Sequence, residues 1–200
     1  MTRGSQAMHT GTQRGLVPAK FFIDPTASRF TVQAFATGML SSFGHNPTIG
    51  LRDYDGEIQF TADTFANALV RVTVRTNAME VLDEMKSDDR KKLEKEMYEN
   101  VLDVEHFPVV VYESKEITVQ NLGGDMFLAR ATGELSFHGV TQRHSVEARV
   151  TSMGSMLRIS GEFPLQQSDY GIKAFSFAGG ALRLKDELKF KFELVARNQE

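Results

Sequence analysis

The chain has 200 residues, of which 41% are hydrophobic and 24% are charged, and its formal net charge at pH 7 is −3. This composition is typical of a globular protein and excludes a collagen-like or wholly disordered chain. The slight acidic excess does not support general nucleic-acid binding, which needs a strongly basic surface. Cysteine is absent, which excludes disulfides, thiolate nucleophiles and cysteine-ligated zinc.

The first 20 residues are polar, rich in Gly and Thr, and contain basic but no acidic residues. No apolar run follows the basic residues, so they do not form a secretory signal peptide. We expect a disordered tail over residues 1–20 and one domain over residues 21–200. The default expectation is a cytoplasmic protein, or a periplasmic one if an export signal has been removed. No stretch approaches the roughly 18 apolar residues of a membrane span.

From Phe21 onward, apolar and polar residues alternate with a period of two. This pattern predicts strands with one buried and one solvated face, as in antiparallel sheets. The clearest apolar faces are Ala68, Val70, Val72 and Val74; Ala129, Ala131, Gly133, Leu135 and Phe137; His144, Val146, Ala148 and Val150; and Leu188, Phe190, Phe192 and Leu194. Further candidate strands cover residues 28–37, 55–61, 108–120 and 156–166.

About eight strands therefore follow one another with short links. A sheet of this size usually curls or closes, because open strand edges favour aggregation. We predict a mainly β fold, an eight-stranded antiparallel up-and-down barrel whose interior can hold one small ligand. A two-sheet sandwich is the alternative, and periodicity does not separate the two.

One segment, residues 87–100, reads as a helix. Ser87 is the predicted N-cap, and Asp88 and Asp89 suit the positive end of the helix dipole. Leu93, Met97 and Val101 form a narrow apolar stripe at four-residue spacing. This acidic helical insertion either closes one end of the barrel or is an inert crossover between two strands.

Residues that could carry catalysis are scarce. His45, in a loop between two strands, either donates to a ligand head group or bonds the backbone of its own turn. His106, His138 and His144 lack metal-ligand spacing, with His138 predicted to face outward and His144 inward. There is no G-x-S-x-G motif. We predict no metal site and no enzyme activity.

Aromatic residues are unevenly used, with 15 Phe, 4 Tyr and no Trp. Those within strands either form a packed core or line a cavity, and most fall on the predicted inward face: Phe30, Phe60, Tyr112, Phe137, Phe163, Phe190 and Phe192. Small inward residues beside them would leave room for a long, thin ligand: Ala68, Ala129, Ala131, Gly133, Ala148 and Gly161.

Several segments resemble one protein family in order along the chain. Residues 135–143, LSFHGVTQR, resemble the L-T-x-H-G-V-T-[RK] signature of the YceI-like family. Residues 102–108 with 111–114, LDVEHFP and VYES, are similar to its F-D-V-x-x-[YF]-P…F-x-S passage. Residues 161–172, GEFPLQQSDYGI, are similar to its G-x-F-x-[IL]-x-R-x-D-[FY]-G-[IL] segment. Residues 22–24 and 42–46, FID and SFGHN, resemble its opening strand and loop.

The resemblance implies a lipocalin-like barrel that binds polyisoprenoids, isoprenoid quinones or related lipids in its interior. Many family members are exported to the periplasm. Gln166 and Gln167 stand where the family often has a basic residue, so a charge contact to an anionic head group is lost there. The two amides could still form hydrogen bonds with a quinone or amide head.

We therefore expect a non-catalytic protein that carries or stores a long amphiphilic lipid, with no cofactor beyond that lipid. The expected ligand-binding residues are Phe43, His45, Phe60, Tyr112, Phe137, His144, Phe163, Tyr170, Phe175, Phe190 and Phe192. One alternative is a lipid-modifying enzyme that uses His144 with Glu113; another is a packed structural or stress-response module. The expected partner is a hydrophobic small molecule, not nucleic acid, and a homodimer through barrel edges or the helical insertion is a further expectation.

Overall fold

The computed structural model describes residues 18–37, 46–61, 65–173, 176–177 and 182–198. Its strands are β1 Pro18–Ile23, β2 Arg29–Thr37, β3 Thr48–Leu51, β4 Tyr54–Thr61, β5 Leu69–Arg75, β6 Met79–Val81, β7 Val109–Gly123, β8 Met126–Phe137, β9 Val140–Met153, β10 Met156–Gln166, β11 Ser176–Phe177 and β12 Leu182–Asn198. One α-helix, α1, spans Ser87–Glu96 and continues as a π-helical turn, Met97–Val101. Short 3-10 helices occupy Pro25–Ala27, Thr76–Ala78 and Gln167–Tyr170. Because β1 begins at Pro18, the barrel wall takes in residues 18–20 of the expected tail.

Eight of the strands form a closed antiparallel ring in the order β1-β4-β5-β7-β8-β9-β10-β12. The ring closes where β12 returns to β1, in the pairs Phe21–Asn198, Phe22–Arg197 and Ile23–Ala196. This closure confirms the predicted barrel and excludes the sandwich. The remaining edge of β12 pairs with β2, which continues the sheet through β3 and β6.

The predicted inward faces are the observed ones. The predicted apolar faces of β5, β8, β9 and β12 point into the barrel, while charged residues on the opposite faces form ion pairs on its outer surface, such as Arg130 with Glu147. The link between β8 and β9 is a two-residue turn, His138 and Gly139, whose φ angles of 49° and 76° are those of a type I′ hairpin.

Helix α1 covers one end of the barrel. Leu93, Met97 and Val101 face the interior, as their four-residue spacing predicts. The helix is fastened to β6 by two side chains: Glu94 Oε1 accepts the Val81 amide proton at 2.9 Å, and the Tyr98 hydroxyl donates to the Met79 carbonyl. The insertion therefore closes the barrel and is not an inert crossover.

The predicted N-cap was wrong. The cap position is Lys86, which makes no side-chain capping hydrogen bond, and Ser87 is already the first helical residue. None of the helices in the described ranges combines the length and apolarity that crossing a membrane requires.

Candidate ligand cavity

The barrel encloses a cavity of about 280 Å³. Its walls come from the inward faces of the ring strands and of β2, β3 and β6, and one end comes from α1 and the π-helical turn. Four polar side chains take part in the lining, Tyr112, His144, Ser152 and Gln167, and the rest are aliphatic, aromatic or methionine. Across the described residues, no Asp, Glu, Lys or Arg side chain lines this space. The cavity is therefore suited to an uncharged, apolar occupant with few polar atoms.

The structure brings seven of the expected ligand-binding residues together in the cavity wall: Phe60, Tyr112, Phe137, His144, Phe163, Phe190 and Phe192. Tyr170 is not in that wall. It is buried behind Phe137, with the two rings 5.5 Å apart, and it lines a separate pocket on the outer surface. The other three, Phe43, His45 and Phe175, lie outside the described residues.

The aromatic part of the wall is an ordered cluster. Phe163 and Phe190 stack in parallel, with ring centroids 4.9 Å apart and planes 1° apart. Phe30 meets Phe190 and Phe192 edge to face, at 6.3 and 6.0 Å. Such pairs fix ring orientation beyond what burial alone does. The cluster therefore presents a rigid apolar surface to the interior.

The small inward residues act in two different ways. Ala68, Ala129, Ala131 and Ala148 line the cavity, as expected of residues that leave room. The two glycines do not line it. At Gly161 a Cβ atom would lie 2.6 Å from the Phe192 ring and 2.5 Å from the Glu147 carbonyl oxygen.

Gly133 likewise serves strand packing. A Cβ atom there would lie 2.1 Å from the Glu113 carbonyl oxygen, next to the irregularity in β7 between Ser114 and Glu116. The space that each glycine leaves is already filled by a neighbouring ring or by backbone, so these two residues add no volume to the cavity.

His144 is the one histidine in the described cavity wall. Its ring lies edge to face against Phe163, with centroids 4.9 Å apart. Its Nε2 atom is buried and makes no hydrogen bond within the described part of the chain. Burial lowers the pKa of His144, so the imidazole is neutral at pH 7. In a neutral imidazole, Nε2 acts as a donor or as an acceptor depending on the tautomer, so it can bond either kind of polar atom.

The pair of His144 with Glu113 does not exist. Glu113 follows the inward Tyr112 on β7 and so points outward, where it forms ion pairs with Arg71 at 3.2 Å and Lys115 at 3.9 Å. Strand alternation sends adjacent residues to opposite faces of the sheet. The nominated acid–base pair is therefore separated by the barrel wall.

Two other polar side chains of the lining are already engaged. The Tyr112 hydroxyl donates to the Ala131 carbonyl at 3.0 Å, and burial raises its pKa to about 12. Gln167 is buried, and its Nε2 donates to the carbonyl oxygens of Lys185 at 2.9 Å and Asp186 at 3.3 Å. Gln166 instead lines the surface pocket. The amide nitrogen of Gln167 is therefore not free to donate to a ligand head group, as the sequence had suggested it could.

The remaining described histidines lie outside the cavity. His106 Nδ1 is 2.8 Å from Asp103 Oδ1, and that hydrogen bond raises the pKa of His106. The His138 ring packs on Phe107, with centroids 4.2 Å apart. Among the residues the structure describes, no group of three or more His, Asp or Glu side chains is placed to hold a metal ion.

Sequence reasoning did not nominate two residues that help complete the wall, Ser152 and Leu165, and it named Gln167 only as a possible contact for a head group. Strand parity was the available signal for most of them, since they alternate with outward residues just as the aromatic ones do. The helical stripe was recognised, but its place in the cavity wall depends on how α1 folds back over the barrel.

Comparison with known proteins identifies the fold. A family model described as a YceI-like domain matches residues 21–196. The chain belongs to the YceI-like family. The matched range contains α1 and every described cavity residue of this YceI-like barrel. It also covers the eight ring strands, apart from residues 18–20 of β1 and residues 197–198 of β12.

Solved structures give the same architecture at low sequence identity. BcnA of Burkholderia cenocepacia is 16% identical, covers 86% of this chain and 98% of its own, and superposes with a TM-score of 0.67. A polyisoprenoid binding domain from Saccharophagus degradans is 13% identical, with coverages of 90% and 99% and a TM-score of 0.65. The YCEI protein of Campylobacter jejuni is 15% identical, with coverages of 78% and 88% and a TM-score of 0.61. No curated protein sequence matches the chain.

Proposed function

We propose that this YceI-like protein binds one long amphiphilic lipid of the isoprenoid class inside the barrel and carries or stores it without chemical change. The observation that carries the proposal is the apolar cavity inside the barrel, whose described lining has no charged side chain. The fold it shares with a polyisoprenoid binding domain supports the choice of lipid class.

Burial of an apolar tail supplies the binding energy. Each CH₂ group removed from water is worth about 0.8 kcal/mol. Ten buried carbon groups would therefore offer about 8 kcal/mol before the costs of association are subtracted. Few polar contacts are needed for useful affinity, and the wall supplies few. Its aromatic surface, which includes the stacked rings of Phe163 and Phe190, suits a branched, unsaturated chain.

The same wall argues for a carrier function. A lipid-modifying enzyme needs a positioned base, nucleophile or metal aimed at its substrate. The titratable side chains of the described lining are His144 and Tyr112, one neutral through burial and the other protonated and bonded to a carbonyl. Within the described lining, neither has an acidic or basic partner with which to exchange a proton.

A cavity-filling substitution tests where the lipid binds. Ala148→Leu extends an inward side chain into the cavity, and Arg149→Leu places the same side chain on the exposed face one residue along β9. We expect Ala148→Leu to weaken binding of geranylgeraniol at least about tenfold, equivalent to 1.4 kcal/mol, and Arg149→Leu to change it less than about twofold. Displacement of a fluorescent hydrophobic dye measures both.

Native mass spectrometry of the protein from a heterologous host completes the test. We expect a hydrophobic molecule bound to the wild type and lost from Ala148→Leu. Equal binding by Ala148→Leu and Arg149→Leu would contradict a site inside the barrel. Extraction of geranylgeraniol after long incubation should return it unchanged, and time-dependent conversion would show an enzyme in place of a carrier.

A further inference from the structure

The barrel wall has a gap between β9 and β10. The two strands pair from Met153–Met156 to Ala148–Gly161. Beyond that point, over the described residues of both strands, β9 pairs only with β8 and β10 only with β12. We call the opening between residues 140–147 of β9 and 162–166 of β10 the β9–β10 gap.

A polar pocket of about 220 Å³ lies on the outer surface over this gap. Its lining comes from β9, β10, β12 and the 3-10 helix Gln167–Tyr170, and consists of Gln142, Arg143, His144, Pro164, Leu165, Gln166, Asp169, Tyr170 and Glu187. Among the described residues, a side-chain hydrogen bond from Gln142 Nε2 on β9 to the Asp169 carbonyl at 3.3 Å links the two sides of the gap. Pro164 has no amide proton to donate to a neighbouring strand, which suits the free edge of β10.

Two side chains, His144 and Leu165, line both this outer pocket and the inner cavity. They form the boundary between the two spaces. Leu165 is buried, and the His144 ring is held edge to face by Phe163, so the boundary is packed and not solvent-filled. The unbonded Nε2 of His144 is a polar atom at the junction of an apolar chamber and a polar one.

We propose that the β9–β10 gap is a lateral portal, in which the polar end of the ligand sits against His144 while its tail occupies the barrel. This inference rests on the proposed function. An amphiphile matches the two chambers because one is apolar and the other polar. Because α1 covers one barrel end, the ligand does not enter or leave there, and the β9–β10 gap offers a route through the wall.

The portal selects an uncharged oxygen. Its described lining carries one basic side chain, Arg143, and two acidic ones, Asp169 and Glu187. This acidic excess disfavours a phosphate, whereas a neutral imidazole can bond either a hydroxyl or a carbonyl. An isoprenoid alcohol and an isoprenoid quinone both present that chemistry, and the experiment includes one of each.

The first test compares four probes with similar 20-carbon isoprenoid tails: geranylgeraniol, menaquinone-4, geranylgeranyl monophosphate and the hydrocarbon phytane. We expect the wild type to prefer an alcohol or quinone to the phosphate. His144→Leu should weaken binding of the preferred probe about 2- to 10-fold, the worth of one hydrogen bond, while phytane binding changes less than about twofold. His144→Gln, which keeps hydrogen-bonding atoms, should recover part of the loss.

The second test obstructs the portal. The chain has no cysteine, so a single introduced one takes a bulky maleimide label at one site. Arg143→Cys places the label over the gap, and Arg149→Cys places it on the same exposed face of β9 where that strand is paired with β10. We expect the first label to slow transfer of geranylgeraniol from vesicles about tenfold, and the second to change it less than about twofold.

The outcomes separate the two proposals. A wild type that binds none of the four probes would overturn the proposed function and the portal with it. The portal alone would be overturned if His144→Leu weakened binding of phytane and of the preferred probe equally. Equal transfer rates for the two labelled proteins would also overturn it. Tightest binding of the monophosphate would overturn the selection of an uncharged oxygen.

Discussion

The contact between α1 and β6 offers a sharp test of how the barrel is closed. Glu94 Oε1 accepts the amide proton of Val81, a residue that is 1% exposed. Glu94→Ala leaves that buried amide without its acceptor, which costs about 1–3 kcal/mol. The higher helix propensity of alanine returns a few tenths of that. The net loss of about 1–2.5 kcal/mol corresponds to a fall in Tm of about 2–10 °C for a domain of this size.

Glu94→Gln is the matched control, because its amide oxygen can accept the same hydrogen bond, and Lys91→Ala controls for a change on the exposed face of α1. Thermal unfolding measures the global effect and amide exchange measures local opening. We also expect α1 to exchange faster than strand residues 129–137 and 188–194, since the helix is fastened by few contacts. The reasoning fails if neither Tm nor exchange at Val81 separates Glu94→Ala from Glu94→Gln.

Two further predictions concern pH and backbone packing. Because the pKa of His144 is lowered, its contribution to stability is complete above its ordinary pKa near 6.5 and shrinks as pH falls towards the lowered value. The raised pKa of His106 acts in the opposite direction. It adds stability below pH 6.5, and this is lost as pH rises through the raised value. Urea unfolding at pH 7 and pH 5 measures the free energy of unfolding that is lost on acidification. We expect this loss to be smaller in His144→Gln than in the wild type and larger in His106→Gln. Shifts of the same sign in the two variants would refute these assignments. Gly133→Ala, whose Cβ would lie 2.1 Å from a backbone oxygen, should cost about 3 kcal/mol or more, while Gly50→Ala, whose Cβ would lie 3.1 Å from a flexible leucine side chain, should stay within about 1 kcal/mol. Equal unfolding free energies for the two alanine variants would show that the close approach at β7 is not rigid.

Strand faces and the family were readable from the chain alone. A side-chain period of two assigns every residue of a strand to one face, so the inward positions of Phe163, Phe190 and Phe192 followed from alternation. The same rule places Glu113 outside, next to the inward Tyr112, and should have removed it from the nominated acid–base pair. The order of the family motifs along residues 21–196 could likewise be read directly from the sequence, and the family match agrees with it.

Closure of the barrel was decided only in three dimensions. It depends on three residue pairs between β1 and β12, segments about 175 residues apart in the chain, and alternation within each strand is the same in a sandwich and a barrel. The role of each glycine was also tertiary: Gly161 looks like an open inward position in the sequence, but the Phe192 ring from a neighbouring strand occupies its space. Tyr170 fell behind Phe137 for the same kind of reason, because a 3-10 turn and not a strand carries it.

The β9–β10 gap shows most clearly what local patterns leave undetermined. Residues 140–147 and 162–166 alternate as regularly as paired strands do, and Pro164 alone hints at a free edge. Alternation reports which face of a strand is buried, whereas pairing depends on where its neighbours lie along both edges. The chain by itself therefore specified a set of antiparallel strands, each with one apolar face. The tertiary structure decided that these strands close into a barrel, which side chains line its cavity and where two neighbouring strands stop pairing, because each of these depends on contacts between distant segments.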